Sequence, residues 1–217
     1  MKQRLLLFIT ALMLCMGARA ATVQVIDGLK YIIYTDQNCA TLINNNYTQS
    51  EIVIPAEITW EGKKYPVTEL GNSCFYSCRS LTSVTIPSSV TSIGKECFEY
   101  CESLKSITIP SSVTSLGEKC FYYCRSLTSV TIPSSVTSIG EGCFSQCSSL
   151  TSITIPSSVT SLGKSCFYSC SGLKSITIPS SITSLGDYCF EDCKSLTSIT
   201  IPSSVTSLGK SCFSYCI

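Results

Sequence analysis

Sixteen cysteines and no histidine stand in a chain of 217 residues. Without imidazole, neither a Ser–His nor a Cys–His nucleophile can be assembled, and the commonest zinc sites are excluded. A phosphate-cradling G-x-x-x-x-G-K-S/T loop and a G-x-S-x-G nucleophile elbow are also missing from the sequence. The carboxylates are few. Glu96, Glu118, Glu141 and Asp187 occupy variable places beside the cysteines and read as the solvated side of a turn. No catalytic residue, cofactor site or metal site is expected, and the chain does not read as an enzyme.

The cysteines themselves fall in two columns. Cys74, Cys97, Cys120, Cys143, Cys166, Cys189 and Cys212 form the first; Cys78, Cys101, Cys124, Cys147, Cys170, Cys193 and Cys216 form the second. Each pair straddles a phenylalanine as C-F-x-x-C. Three readings compete. The thiols fill a core as small apolar groups, or each pair closes a disulfide across one turn, which is geometrically awkward. As metal or iron–sulfur ligands they fail the usual C-x-x-C spacing. Packing is the favoured reading. Removing residues 1–20 with Cys15 leaves an odd number of cysteines, so at least one thiol escapes intramolecular pairing.

The elements that position these columns come from a repeat. Leu81 returns as Leu104, Leu127, Leu150, Leu173 and Leu196, always 23 residues on, with Pro87 and Gly94 recurring in step. That period lies in the leucine-rich repeat range. Within a unit, Leu81, Val84 and Ile86 fit the L-x-x-L-x-L strand, Pro87 ends the ladder, and Gly94 supplies a turn with φ freedom. Val90, Ile93, Cys97, Phe98 and Cys101 complete the inward set, and the four-residue Cys spacing predicts a short helical turn. A unit this small cannot repay its own ordering entropy, so stability must come from stacking.

The remainder of the chain divides around this array. Residues 1–20 read as a secretory signal: Lys2 and Arg4, then an apolar run from Leu5 to Met16, then Ala18-Arg19-Ala20 before the cut. A lipoprotein attached through Cys15 is the weaker alternative, because Leu14 sits where a small residue is needed. Residues 21–49 read as an N-terminal cap with a β-hairpin at Asp27-Gly28. Asn46-Tyr47-Thr48 is a glycosylation sequon, meaningful only in a eukaryotic source. Residues 50–80 are a degenerate first repeat with an insertion around Trp60, Lys63, Lys64 and Tyr65, read as a protruding hairpin with Gly62 at its tip, or as a binding loop. Residues 81–217 hold six repeats of 23, the last ending one residue short and without a polar cap. An uncapped end would favour self-association.

With net charge +1 and 13% charged residues, nothing in the chain points to nucleic acid or an anionic membrane as partner, and no membrane span is expected. The candidate partner surface is the solvent side of the strands: Ser83, Thr85, Ser106, Thr108, Ser129, Thr131, Ser152, Thr154, Ser175, Thr177, Ser198 and Thr200. It reads either as plain soluble strand surface or as a multivalent face for an extended partner. An ice- or crystal-binding array is a remote third use.

The unit SLTSVTIPSSVTSIGKECFEYC over residues 80–217 resembles the BspA-like leucine-rich repeat family, as does the stretch from DGLKYIIY to LGNSCFYSC. The resemblance implies a solenoid outside the cell or on its surface that binds host matrix or plasma proteins, or other microbes. The family pattern is A-F-x-x-C, whereas Cys takes the Ala place in all seven units here. The expected architecture is an α/β repeat: a leucine-rich repeat solenoid with parallel strands on one face, short helical turns on the other and a hairpin cap. The expected function is secreted or cell-surface binding or adhesion to an extracellular protein or glycan. A structural, self-associating scaffold is the alternative.

Overall fold

The computed structural model describes residues 21–44 and 46–216. The expected signal segment therefore lies outside the described residues. Strands β1 (Ala21–Ile26) and β2 (Leu29–Tyr34) form an antiparallel hairpin. Its turn places Asp27 at φ 49° and Gly28 at φ 79°, the pair of positive angles that a two-residue type I′ turn requires. Strand β3 (Cys39–Ile43) pairs antiparallel with β2 and parallel with β6 (Lys63–Leu70), so the cap sheet hands over to the repeats through β6. Between them come β4 (Glu51–Val53) and β5 (Glu57–Trp60), the latter antiparallel to β6 around Glu61-Gly62.

From β6 onward the chain winds in coils with three sides. The first side carries the short strands β7 (Ser83–Thr85), β9 (Ser106–Thr108), β11 (Ser129–Thr131), β13 (Ser152–Thr154), β15 (Ser175–Thr177) and β17 (Ser198–Thr200). They pair in parallel in three hydrogen-bonded segments, β4 with β7, β9 with β11, and β13 with β15 and β17. The second side carries two-residue strands: β8 (Ser92–Ile93) pairs with β6, and β10 (Ser115–Leu116), β12 (Ser138–Ile139), β14 (Ser161–Leu162), β16 (Ser184–Leu185) and β18 (Ser207–Leu208) form one parallel ladder. Register is by equivalent residue, Ser106 beside Ser129 and Leu162 beside Leu185, so a 23-residue period becomes a column of like side chains. The corner between the two sides is tied by serine: Ser135 and Ser158 donate to the carbonyls of Val113 and Val136 in the preceding coil, each at 2.6 Å.

The third side corrects the expected helical turns. No helix occurs among the described residues, and the architecture is an all-β solenoid rather than α/β. The coil at Ser165 shows why. Cys166 N–H donates to Gly163 O (3.3 Å), Tyr168 to Ser165 (3.1 Å) and Cys170 to Phe167 (3.2 Å), three successive i→i+3 turns. The intervening amides leave the coil altogether: Ser165, Phe167 and Ser169 donate to Asp187, Cys189 and Glu191 of the next coil at 2.8–2.9 Å. An α-helix would need all of these amides for its own i→i−4 bonds. Ser165 and Ser169, both at φ 53°, turn alternate amides outward, and their counterparts elsewhere include Glu96, Tyr100, Lys119 and Tyr123. The repeat glycines play a different part from the one expected. Gly163 is not at positive φ; a Cβ there would lie 2.4 Å from Glu141 N and 2.5 Å from Gly140 C, so glycine is the residue that lets consecutive coils touch.

Inside, Phe75, Phe98, Phe121, Phe144, Phe167, Phe190 and Phe213 stack in one column with centroids 5.1–5.5 Å apart and ring planes within 12°. Such offset-stacking distances add to the burial of each ring. The cap closes the column: the Tyr47 ring lies 5.4 Å from Phe75, and its hydroxyl donates to Ile43 O at 2.6 Å.

Candidate functional site

The column cysteines form no disulfide and are almost all buried. Six of the seven second-column thiols share one partner: Cys101, Cys124, Cys147, Cys170, Cys193 and Cys216 donate to the carbonyl of the phenylalanine in the preceding coil, at 3.0–3.2 Å. Burial pushes thiols of both columns up, Cys193 to about 12, and Cys78 and Cys212 to about 11. Burial that favours the protonated thiol works against nucleophilic or metal-ligating use, and among the described residues no group of metal-ligating side chains is assembled. In this structure the thiols of both columns are packed in the core, and six of the second column add a hydrogen bond to the preceding coil.

The strand side brings the twelve predicted hydroxyl residues together. Each S-V-T or S-I-T strand turns its middle residue inward and its Ser and Thr outward, as a period of two requires. All of Ser83, Thr85, Ser106, Thr108, Ser129, Thr131, Ser152, Thr154, Ser175, Thr177, Ser198 and Thr200 are exposed. The face has a depression of about 320 Å³ over Ser152, Thr154, Ser175 and Thr177.

The insertion lies elsewhere. β6 belongs to the second ladder, so Trp60, Lys63, Lys64 and Tyr65 do not share a surface with the hydroxyl rungs. Lys63 and Lys64 are exposed, Trp60 is half-buried, and Tyr65 is only 4% exposed. The Trp60 and Tyr65 rings sit 6.3 Å apart, with the Lys63 ammonium 5.3 Å from the Tyr65 centroid. Lys64 pairs with Glu57 across the hairpin, and that hydrogen bond raises the lysine above its usual range. The aromatic residues of the insertion thus serve mainly to seat the hairpin.

The turn side holds a feature that repeat reading overlooked. Tyr76, Tyr100, Tyr122 and Tyr123 form an aromatic ridge, with Tyr76–Tyr100 and Tyr100–Tyr122 in edge contact at 5.7 Å. The ridge stops at the next coil, where Gly142, Ser145 and Gln146 replace bulkier residues, and resumes at Tyr168 and Tyr188. The resulting groove, about 380 Å³, has Gly142 and Ser145 in its lining with Lys119, Tyr122, Tyr168 and Glu191 around them. Its signal in the sequence is an exception in a column, and a search for what repeats passes over it.

A parallel solenoid of this kind, with a packed core and three exposed sides, is an architecture that hosts many kinds of surface. The sequence profile described as BspA type leucine rich repeat region matches residues 68–193 and 142–217, with six copies of the repeat. The chain belongs to the BspA-type leucine-rich repeat family. Among solved structures it is similar to a T. pallidum leucine rich repeat protein, at 32% identity over 83% of each chain with a TM-score of 0.76. It is also similar to a leucine rich cell surface protein of Faecalibacterium prausnitzii, at 26% identity over 92% of this chain and 76% of that one, with a TM-score of 0.54. The pneumococcal vaccine antigen PcpA shares the fold at 18% identity, over 88% of this chain and 78% of that one, with a TM-score of 0.56. No curated protein matches the chain.

Proposed function

We propose that this protein is secreted or held at the cell surface, is not an enzyme, and binds an extracellular protein or glycan through the strand side of the solenoid. The observation that carries this reading is the row of outward Ser and Thr residues, all exposed and in register from coil to coil. A ladder of like hydroxyls offers one weak contact per rung and adds strength by number when the partner is itself extended. The similarity to a Faecalibacterium prausnitzii cell surface protein supports the location. The test is binding of the purified chain to immobilised matrix proteins, plasma proteins and glycans, beside a Thr108→Lys, Thr131→Lys, Thr154→Lys variant. Binding to a defined partner that drops at least about tenfold in the variant is expected from loss of three adjacent rungs. Absence of any partner, or full retention by the variant, would sink the reading. Cleavage after Ala20 is checked by N-terminal sequencing of the exported product.

A second reading, self-association as a scaffold, rests on the last described coil. Ile201 and Leu208 are 40% and 55% exposed there, whereas Ile178 and Leu185 one coil earlier are 2% and 3% exposed. A sedimentation coefficient that climbs with concentration would favour it, and a constant monomer would dismiss it.

A further inference from the structure

We propose that the turn side carries a slot for one neutral sugar ring, at the coil where the tyrosine ridge is broken. The first position after C-F in the seven units runs Tyr76, Glu99, Tyr122, Ser145, Tyr168, Glu191, Ser214. At Ser145 a small residue stands between two tyrosines of the same column, and at only 2% exposed it lies at the bottom of the groove. Gly142 takes the preceding turn position, which is lysine (Lys119) one coil earlier and serine (Ser165) one coil later. The core beneath is uninterrupted, with steps of 5.4 and 5.5 Å from Phe121 to Phe144 to Phe167. Tyr122 and Tyr168 thus stand two regular steps apart with the width of one side chain missing between them. What fits is one ring.

The chemistry of the lining selects which ring. Tyr122 and Tyr168 offer apolar aromatic surface to the C–H face of a pyranose, with Tyr188 beyond. Glu141 and Glu191 supply carboxylate acceptors, and Lys119 supplies an ammonium donor. A cationic ligand would be opposed by Lys119 and by Lys164, whose ammonium lies 5.8 Å from the Tyr188 centroid. An anionic ligand would be opposed by the two glutamates. Hydroxyl groups, each both donor and acceptor, satisfy a rim of mixed sign. The volume, about 380 Å³, is within the range of small-molecule sites. Past Tyr168 a second groove of about 470 Å³ opens among Arg125, Gln146, Asp192 and Lys194, again polar and of mixed sign. Gln146 occupies the place that Tyr100 and Tyr123 hold in earlier coils, so the break is two side chains long and extends toward a second sugar. The slot shares no residue with the strand rungs and does not depend on their role.

The experiment uses the full chain and titrates maltotetraose, cellotetraose and β-1,4-galactotetraose by saturation-transfer NMR and calorimetry. Sialyllactose and chitosan tetramer are the anionic and cationic controls. At least one neutral tetraose is expected to bind. Ser145→Tyr, which restores the ring found at Tyr76, Tyr122 and Tyr168, is expected to lower affinity at least about tenfold while leaving thermal unfolding unchanged. Tyr168→Ala removes one wall and is expected to do the same, and Glu191→Gln, which keeps the shape, to weaken binding by several-fold. The proposal is overturned if no neutral tetraose binds, if only a charged control binds, or if Ser145→Tyr binds as well as the parent. The Thr108, Thr131, Thr154 variant must leave sugar binding intact; its loss there would move the sugar to the strand side and refute the slot.

Discussion

Two cysteines of one coil, alike in type and burial, are expected to differ in what they contribute. Cys166 and Cys170 flank Phe167 and are both fully buried. Cys166 packs in its column beside Cys143 and Cys189, while Cys170 places its sulfur 3.0 Å from Phe144 O and donates to it. Changing either to alanine removes one sulfur from a close-packed interior, at about 1 kcal/mol by analogy with a buried methylene. Cys170→Ala also loses the S–H···O bond, worth about 0.5–1 kcal/mol net. The loss goes no further, because Phe144 O keeps the Cys147 amide at 3.2 Å and is not orphaned. The expectation is about 1 kcal/mol for Cys166→Ala against about 2 kcal/mol for Cys170→Ala. In melting temperature that is a separation of about 2–4 °C for a chain of this size. Urea unfolding followed by circular dichroism, with the m-value held as a check on cooperativity, gives the comparison directly. Equal costs, or a larger cost at Cys166, would show that the thiol bond contributes nothing. The family pattern A-F-x-x-C agrees with the cheaper position, since it carries alanine in the first column.

Three further expectations follow from the same interior. Stability should be flat to about pH 8 and fall steeply above it, because thiols raised by burial stay protonated in the fold while the unfolded chain ionises near 8.5. The folded state then binds more protons, so each such thiol subtracts about 1.4 kcal/mol per pH unit between its unfolded and folded values; a midpoint in urea that holds constant to pH 10 would contradict this. Maleimide should label the half-buried Cys39 and Cys216, while the buried cysteines of both columns, Cys74 through Cys212, stay unlabelled until urea is added; mass spectrometry of the native reaction decides. Gly163→Ala should cost more than about 2 kcal/mol because its Cβ would meet backbone, whereas Gly62→Ala, with open space around it and φ +74°, should cost only about 1 kcal/mol; reversal of that order in denaturant midpoints would refute the close-contact role of the repeat glycines.

Much of this was legible from residue spacing alone. Leu81, Val84, Val90, Ile93, Cys97, Phe98 and Cys101 are buried as the pattern requires, Ile86 is half-buried, and the Asp27-Gly28 hairpin has the turn that its dipeptide favours. The helical turns were misread because a four-residue spacing puts two side chains on one face of a helix and equally on one side of two linked β-turns. What separates the two is a positive φ before each cysteine, and here Glu96, Lys119, Ser165 or Tyr188 takes it in place of the glycine that would have announced it. Only Gly142 carries the usual signal. The hydroxyl rungs were legible because alternation fixes which way a strand residue points. Tyr65 was less so, since an aromatic beside two lysines looks like surface until β5 folds over it. The groove at Ser145 was illegible to any reading by consensus, because it consists of a departure from one.

Pairing by like residue has a consequence for the array as a whole. Each inner coil meets a near copy of itself on either side, so the interior holds no address: Phe144 would stack as well on Phe98 as on Phe121. Excision or duplication of a 23-residue block between equivalent points leaves the ladders, the phenylalanine column and the thiol bonds closed. Length is therefore a free variable for the repeat array, and the coils differ from one another mostly on the turn side, in residues such as Tyr122, Ser145 and Tyr168. A chain one coil shorter would fold alike, and would be a different molecule only where it had lost or moved one of those marks.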